Sequence, residues 1–72
     1  MFDRITFDSQ VMAGRACIRG MRITVYDVLE YLASGMTRQD LLQDFPYLTD
    51  EDISACLQYA ADREHQQMVV RA

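Results

Sequence analysis

Lysine is missing from this sequence, proline and histidine occur once each, and cysteine occurs twice. All seven basic side chains are therefore arginines, and eleven acids outweigh them to leave a net charge of −4. An acidic chain is repelled by nucleic acid unless its few cations are gathered on one surface. The same acidity suits contact with a basic protein, or simply keeps a domain soluble. Cys17 and Cys56 are too few and too far apart for a metal cage or a disulfide framework, which points to reduced thiols and a cytoplasmic setting. No apolar run is long enough to span a bilayer, and the start carries no cationic-then-apolar leader. Glycine-rich phosphate loops, metal-ligand spacings and triad signatures are also missing. His65 stands among Glu64, Gln66 and Gln67, where solvent is its expected neighbour, and Cys56 falls where a small buried hydrophobe belongs. Cys17 sits beside arginines that would lower its pKa, with no base to serve it. The expectation is a protein without catalytic residues, metal or cofactor, and away from the membrane.

Half of the 72 residues are hydrophobic. That composition marks a globular chain, at a size where a lone core is marginally stable. A homodimer or a complex with another chain is expected to cover part of its surface. The pattern divides into a β element over 1–24, three helices over 25–66 and a tail over 67–72, all within one domain.

"RITFD" (Arg4–Asp8) alternates like a strand, with Ile5 and Phe7 inward. "CIRGMRIT" (Cys17–Thr24) reads as a ribbon. A two-residue turn at Gly20-Met21 would set Arg19 across from Arg22, with Ile18 and Ile23 on the core face. Cys17, Arg19, Arg22 and Thr24 would then face outward. Like charges about 5 Å apart repel by only ~1 kcal/mol in water, so the pairing needs no ligand to be tolerated.

From Thr24 the period becomes helical, with Val25, Val28, Leu29 and Leu32 at i, i+3, i+4 and i+7. Thr24 caps this helix, Asp27 suits its positive end and Gly35 ends it. Thr37 and Asp40 repeat the device ahead of Leu41 and Leu42, and Pro46 stops the second helix after Phe45. Thr49 caps a third helix with acids in its first turn and a stripe of Ile53, Cys56, Leu57 and Ala60. Beyond that stripe, the tail can extend the helix, add a strand or stay loose. Tyr26, Tyr31, Tyr47 and Tyr59 either flank the core with wet hydroxyls or form an aromatic binding surface.

The pieces "ITFD", "AGRACIRGMRI", "GMT", "FPYLT" and "DISACLQYAA", in that order and spacing, resemble the domain of unknown function 433 family from Ile5 to Ala61. The resemblance implies an α+β fold, short N-terminal strands or a β-hairpin followed by a three-helix, homeodomain-like (helix-turn-helix) bundle. It also implies kinship with VapB-type antitoxins, which are often encoded beside a PIN-like ribonuclease. Where the family commonly has Gly-Gly-Lys-Pro, this chain has Ala13, Gly14, Arg15 and Ala16. Arg15 keeps the positive charge. Met21 replaces a usual Thr and Thr24 a usual Pro.

The functional expectation is an antitoxin-like protein that binds and masks a PIN-like ribonuclease toxin. Arg15, Arg19 and Arg22 are the candidates for pairing with carboxylates of that partner. Met68, Val69 and Val70 are candidates for insertion into it, since antitoxins generally neutralise through terminal segments. A second route uses Asp50, Glu51 and Asp62 as an acidic surface over a basic RNA-binding face. The alternative is a dimeric DNA-binding transcriptional regulator acting through the arginine ribbon. Base reading by the third helix is disfavoured, because Asp50, Glu51 and Asp52 would meet phosphates there.

Overall fold

The computed structural model describes residues 4–71, with side chains through residue 65. Strands β1 (Ile5–Thr6) and β2 (Cys17–Ile18) pair antiparallel, with Ile5 opposite Ile18 and Thr6 opposite Cys17. Thr24 bridges to Cys17 on the other side of β2. Helices α1 (Val25–Ala33), α2 (Arg38–Asp44) and α3 (Asp50–Arg71) follow. This is the expected α+β order of strands then helices, and the α2–turn–α3 unit is compatible with a helix-turn-helix.

All three helices begin with the same four-residue device, Thr-x-x-Asp. The Asp27 amide donates to Thr24 Oγ1 at 2.9 Å, and the Thr24 amide donates to Asp27 Oδ2 at 3.1 Å. Thr37 with Asp40 and Thr49 with Asp52 make the same reciprocal pair of bonds. Each capping box satisfies amides that the helix itself leaves without partners. α1 ends where Gly35 takes a φ of +109°, letting the Met36 amide reach back to the Tyr31 carbonyl at 3.2 Å. Glycine suits that left-handed exit because it has no Cβ to clash.

The core joins the sheet to all three helices: Ile5, Ile18 and Ile23 pack with Val28, Leu41 and Ile53. Leu29, Leu32 and Leu42 lie partly buried against it. Four expectations about facing are corrected. Phe7 lies beyond the end of β1, is 61% exposed, and stacks on Tyr59 with ring centroids 6.2 Å apart. Cys17 and Thr24 are buried rather than outward, since β2 is held on one side by β1 and on the other by Thr24 itself. Leu57 is exposed, and Ala55 takes a buried place on α3 instead.

The largest correction concerns the ribbon's turn. The Met21 amide donates to the Ile18 carbonyl at 2.9 Å, so the two central residues are Arg19 and Gly20 rather than Gly20 and Met21. Both have positive φ, +48° and +74°. That is the primed turn whose twist matches a right-handed ribbon. Arg19 and Arg22 therefore do not face each other across the ribbon.

Candidate functional site

Arg19 sits at the tip of this turn, in a left-handed conformation that a side chain adopts at some cost. Two sets of contacts offset that cost. Its amide donates to the Arg4 carbonyl at 2.9 Å. Its guanidinium reaches the first turn of α3, where Nη2 meets Asp52 Oδ2 at 2.8 Å and Nε meets Asp52 Oδ1 at 3.1 Å. The fork-on-carboxylate geometry is the one guanidinium favours. Nη2 also donates to the Tyr47 carbonyl at 2.7 Å.

Asp52 is the hub. Its side chain is fully buried, and it accepts from Arg19, from Arg4 Nη1 at 2.9 Å, and from the Thr49 amide at 3.0 Å. Burial alone pushes the Asp52 carboxyl up. The bonds from Arg19, Thr49 and Arg4 outweigh that push and bring it down to about 2. The same pairing raises the Arg19 pKa, with the Asp52 hydrogen bond as its main cause. A single carboxylate thus ties β1, the ribbon turn and α3 together. Sequence reasoning placed Asp52 only among acids serving the helix dipole. The signal that could have singled it out is the third Thr-x-x-Asp, which turns this aspartate back toward the chain preceding α3.

The other expected site residues scatter. Asp50 is engaged by Arg38, whose Nη2 lies 2.8 Å from its carboxylate and also donates to Ser54 Oγ. Glu51 is exposed. Asp62 accepts from the Gln58 amide group at 3.0 Å, a turn away from Asp50 and Glu51 several times over along α3. Glu51 and Asp62 lie about three turns apart on α3, near one helical face, while Asp50 is held by Arg38. Met68, Val69 and Val70 fall within the span of α3, and their side chains lie outside the described residues.

Arg15 and Arg22 stand apart from the rest. Arg4, Arg19, Arg38 and Arg63 all donate hydrogen bonds within the molecule. Arg15 and Arg22 are exposed and, among the described residues, their side chains make no hydrogen bond or ion pair. Both act on the same thiol: burial first and the Asp27 charge second raise the Cys17 pKa, while Arg15 and Arg22 oppose them. The lowered Cys17 pKa anticipated beside the arginines is thus reversed by burial. Burial likewise pushes Cys56 up to about 11, with the Asp52 charge adding to it. Arg15 follows directly on Met12, Ala13 and Gly14, which have φ of +50°, +57° and +80°. Three successive left-handed residues fix where its backbone starts.

On another face, Val25, Tyr26 and Leu29 of α1 meet Tyr59, Ala60, Arg63 and Glu64 of α3 along an open groove of about 310 Å³. Arg63 lies over the Tyr59 ring, 5.6 Å from its centroid. A separate stack of Tyr31, Phe45 and Tyr47 closes the far end of α1, with successive centroids 5.3 and 6.1 Å apart. The tyrosines therefore do not form one surface. Among the described residues, no three His, Cys, Asp or Glu side chains are grouped to hold a metal, and no helix is long and apolar enough to cross a membrane.

The family model described as "Protein of unknown function (DUF433)" matches residues 5–60. The chain belongs to the DUF433 family. This DUF433 chain is also similar to the crystal structure of a DUF433 member protein from Anabaena variabilis ATCC 29413, at 35% identity and a TM-score of 0.80. The match covers 88% of this chain and 62% of that one, so the DUF433 chain spans about three-fifths of that relative's length. No curated protein matches it. The matched span runs from β1 into α3 and includes Arg15, Arg19, Arg22 and Asp52.

Proposed function

We propose that this protein is a non-catalytic, antitoxin-like component of a toxin–antitoxin pair, binding and masking a PIN-like ribonuclease. What carries the reading is the fate of the arginines. Among the described residues, only Arg15 and Arg22 are left without an internal partner, in a chain with an excess of acids. Both belong to the ribbon region, and both reach the neighbourhood of Cys17. Exposed guanidinium groups without an internal partner suit a cluster of carboxylates, which is what a metal-dependent ribonuclease gathers at its centre. Arg19 has a different role from the one expected, because it is spent on Asp52.

The DNA-binding alternative draws on the same two side chains. A protein that neutralises only two phosphates gains little affinity, since each contact adds less than one to the salt slope. A pair of such ribbons would still offer four. Co-expression with a PIN-like ribonuclease encoded beside this chain separates the readings. The antitoxin reading requires a complex that survives purification and relieves toxicity. It fails if no complex forms while a short operator duplex binds with a steep salt dependence.

A further inference from the structure

We infer that the loops leading into Arg15 and Arg22 form one docking site for a carboxylate-rich protein surface, already built in the free chain, with Ala13 as a positioning residue. Among the described residues, three non-glycine residues have positive φ: Met12 and Ala13, at +50° and +57°, and Arg19, at +48°. All three lie in the two loops that lead into the arginines whose side chains have no partner. Met12 stands three residues before Arg15, and Arg19 stands three before Arg22. A side chain in that region costs free energy, and such residues gather where a chain holds a binding geometry in readiness. Asp52 offsets the cost at Arg19. Ala13 is exposed and has no polar group with which to make such a contact.

The strain sits in backbone that is pinned on both sides of each arginine. The Gly14 amide donates to the Val11 carbonyl at 3.1 Å and the Arg15 amide to the Met12 carbonyl at 3.2 Å, which closes the left-handed turn. Immediately after Arg15, the Ala16 carbonyl accepts from the Val25 amide at 2.9 Å. Arg22 is bracketed in the same way. The Met21 amide donates to the Ile18 carbonyl at 2.9 Å, and the Ile23 carbonyl accepts from the Ile18 amide at 3.1 Å. The Cys17–Thr24 bridge joins the two loops, with Arg15 two residues before one partner and Arg22 two before the other. Both charges act on the Cys17 thiol. The backbone under each guanidinium is thus fixed while the guanidinium itself makes no bond. Fixing a loop in advance lowers the ordering cost that binding must overcome. The guanidinium fork matches a carboxylate, and two cations on an acidic chain suit a few localised carboxylates better than a run of phosphates. The inference rests on the carboxylate-binding role proposed above for these two arginines.

NMR on the purified chain, with citrate as a compact cluster of carboxylates, tests the inference with no ribonuclease present. In the free protein, amides 12–16 and 19–23 should be as ordered as the helices, with order parameters near ~0.85. Citrate should shift the Arg15 and Arg22 side-chain Nε resonances saturably, and more strongly than phosphate does at equal ionic strength. Ala13→Gly relieves the strain and loosens the turn, and should weaken citrate binding ~5-fold with the rest of the spectrum unchanged. Ala13→Asn, suited to positive φ, should bind like wild type. Order parameters below ~0.6 in either loop overturn the inference. So does the absence of a citrate shift at both arginines, a stronger response to phosphate, Ala13→Gly binding like wild type, or Ala13→Asn weakened as much as Ala13→Gly. With the expected results in hand, failure of the ribonuclease complex would count against the masking role alone.

Discussion

Asp52 is the residue on which the remaining geometry depends, since it receives both arginines that the ribbon and β1 bring to α3. Asp52→Asn removes the charge while keeping the shape, and should cost ~2–3 kcal/mol of unfolding free energy in urea, as loss of hydrogen bonds to charged groups does. Arg19→Ala should destabilise less, because Arg4 and the Thr49 amide still satisfy the carboxylate. The same carboxyl sets a pH dependence. Its folded pKa of about 2 lies below its ordinary 3.8, so its contribution is fully present above that ordinary value and lost as pH falls through the folded one. A shift of that size corresponds to ~2 kcal/mol. Urea unfolding followed from pH 6 down to pH 2 should show this loss, and Asp52→Asn should flatten it. The thiols make a third case. Cys17 and Cys56 are buried with raised pKa values, so a thiol reagent at neutral pH should label them only as fast as the protein opens. Rapid labelling of the native chain would contradict their burial.

At the scale of elements, the helix starts were legible in the sequence and the ribbon turn was not. Thr24, Thr37 and Thr49 each precede an aspartate three residues on, and a capping box is a purely local arrangement. Thr37→Ala, on an exposed cap, should cost ~1 kcal/mol in thermal or urea unfolding. Gly35→Ala meets no atom within 4 Å of an added Cβ, so its cost should be the backbone's alone, ~1 kcal/mol. The turn is different, because either placement of Gly20 leaves Ile18 and Ile23 available to the core. What selects Arg19-Gly20 is a contact 33 positions away in the chain, from Arg19 to Asp52. No local pattern reports such a contact. Phe7 was misplaced for a related reason, since alternation over a few residues does not reveal that β1 stops at Thr6. Arg19→Asn separates the two effects. It places a residue suited to positive φ in the turn, yet should destabilise the protein because the Asp52 contact is lost.

At the scale of the molecule, charge is distributed by use. Four arginines hold the fold or its side chains in place, and Arg15 and Arg22 remain on the surface among the described residues. Of the three ribbon arginines singled out in the sequence, Arg15 and Arg22 are exposed and Arg19 is bound to Asp52. One of them proved structural, which only the long-range contact with α3 reveals. The α1–α3 groove was hidden more deeply, because Tyr26, Tyr59 and Arg63 become neighbours only when the helices pack. The most direct measurement of the proposed role is a calorimetric titration of a PIN-like ribonuclease, taken from beside this chain's gene if one is encoded there, with wild type and with an Arg15→Ala/Arg22→Ala double variant. Wild type should form a saturable complex, and the double variant, unchanged in its unfolding curve, should bind ~100-fold more weakly, as truncation of buried charge pairs does. Equal affinity for both proteins, or no heat of binding with either, would contradict the account.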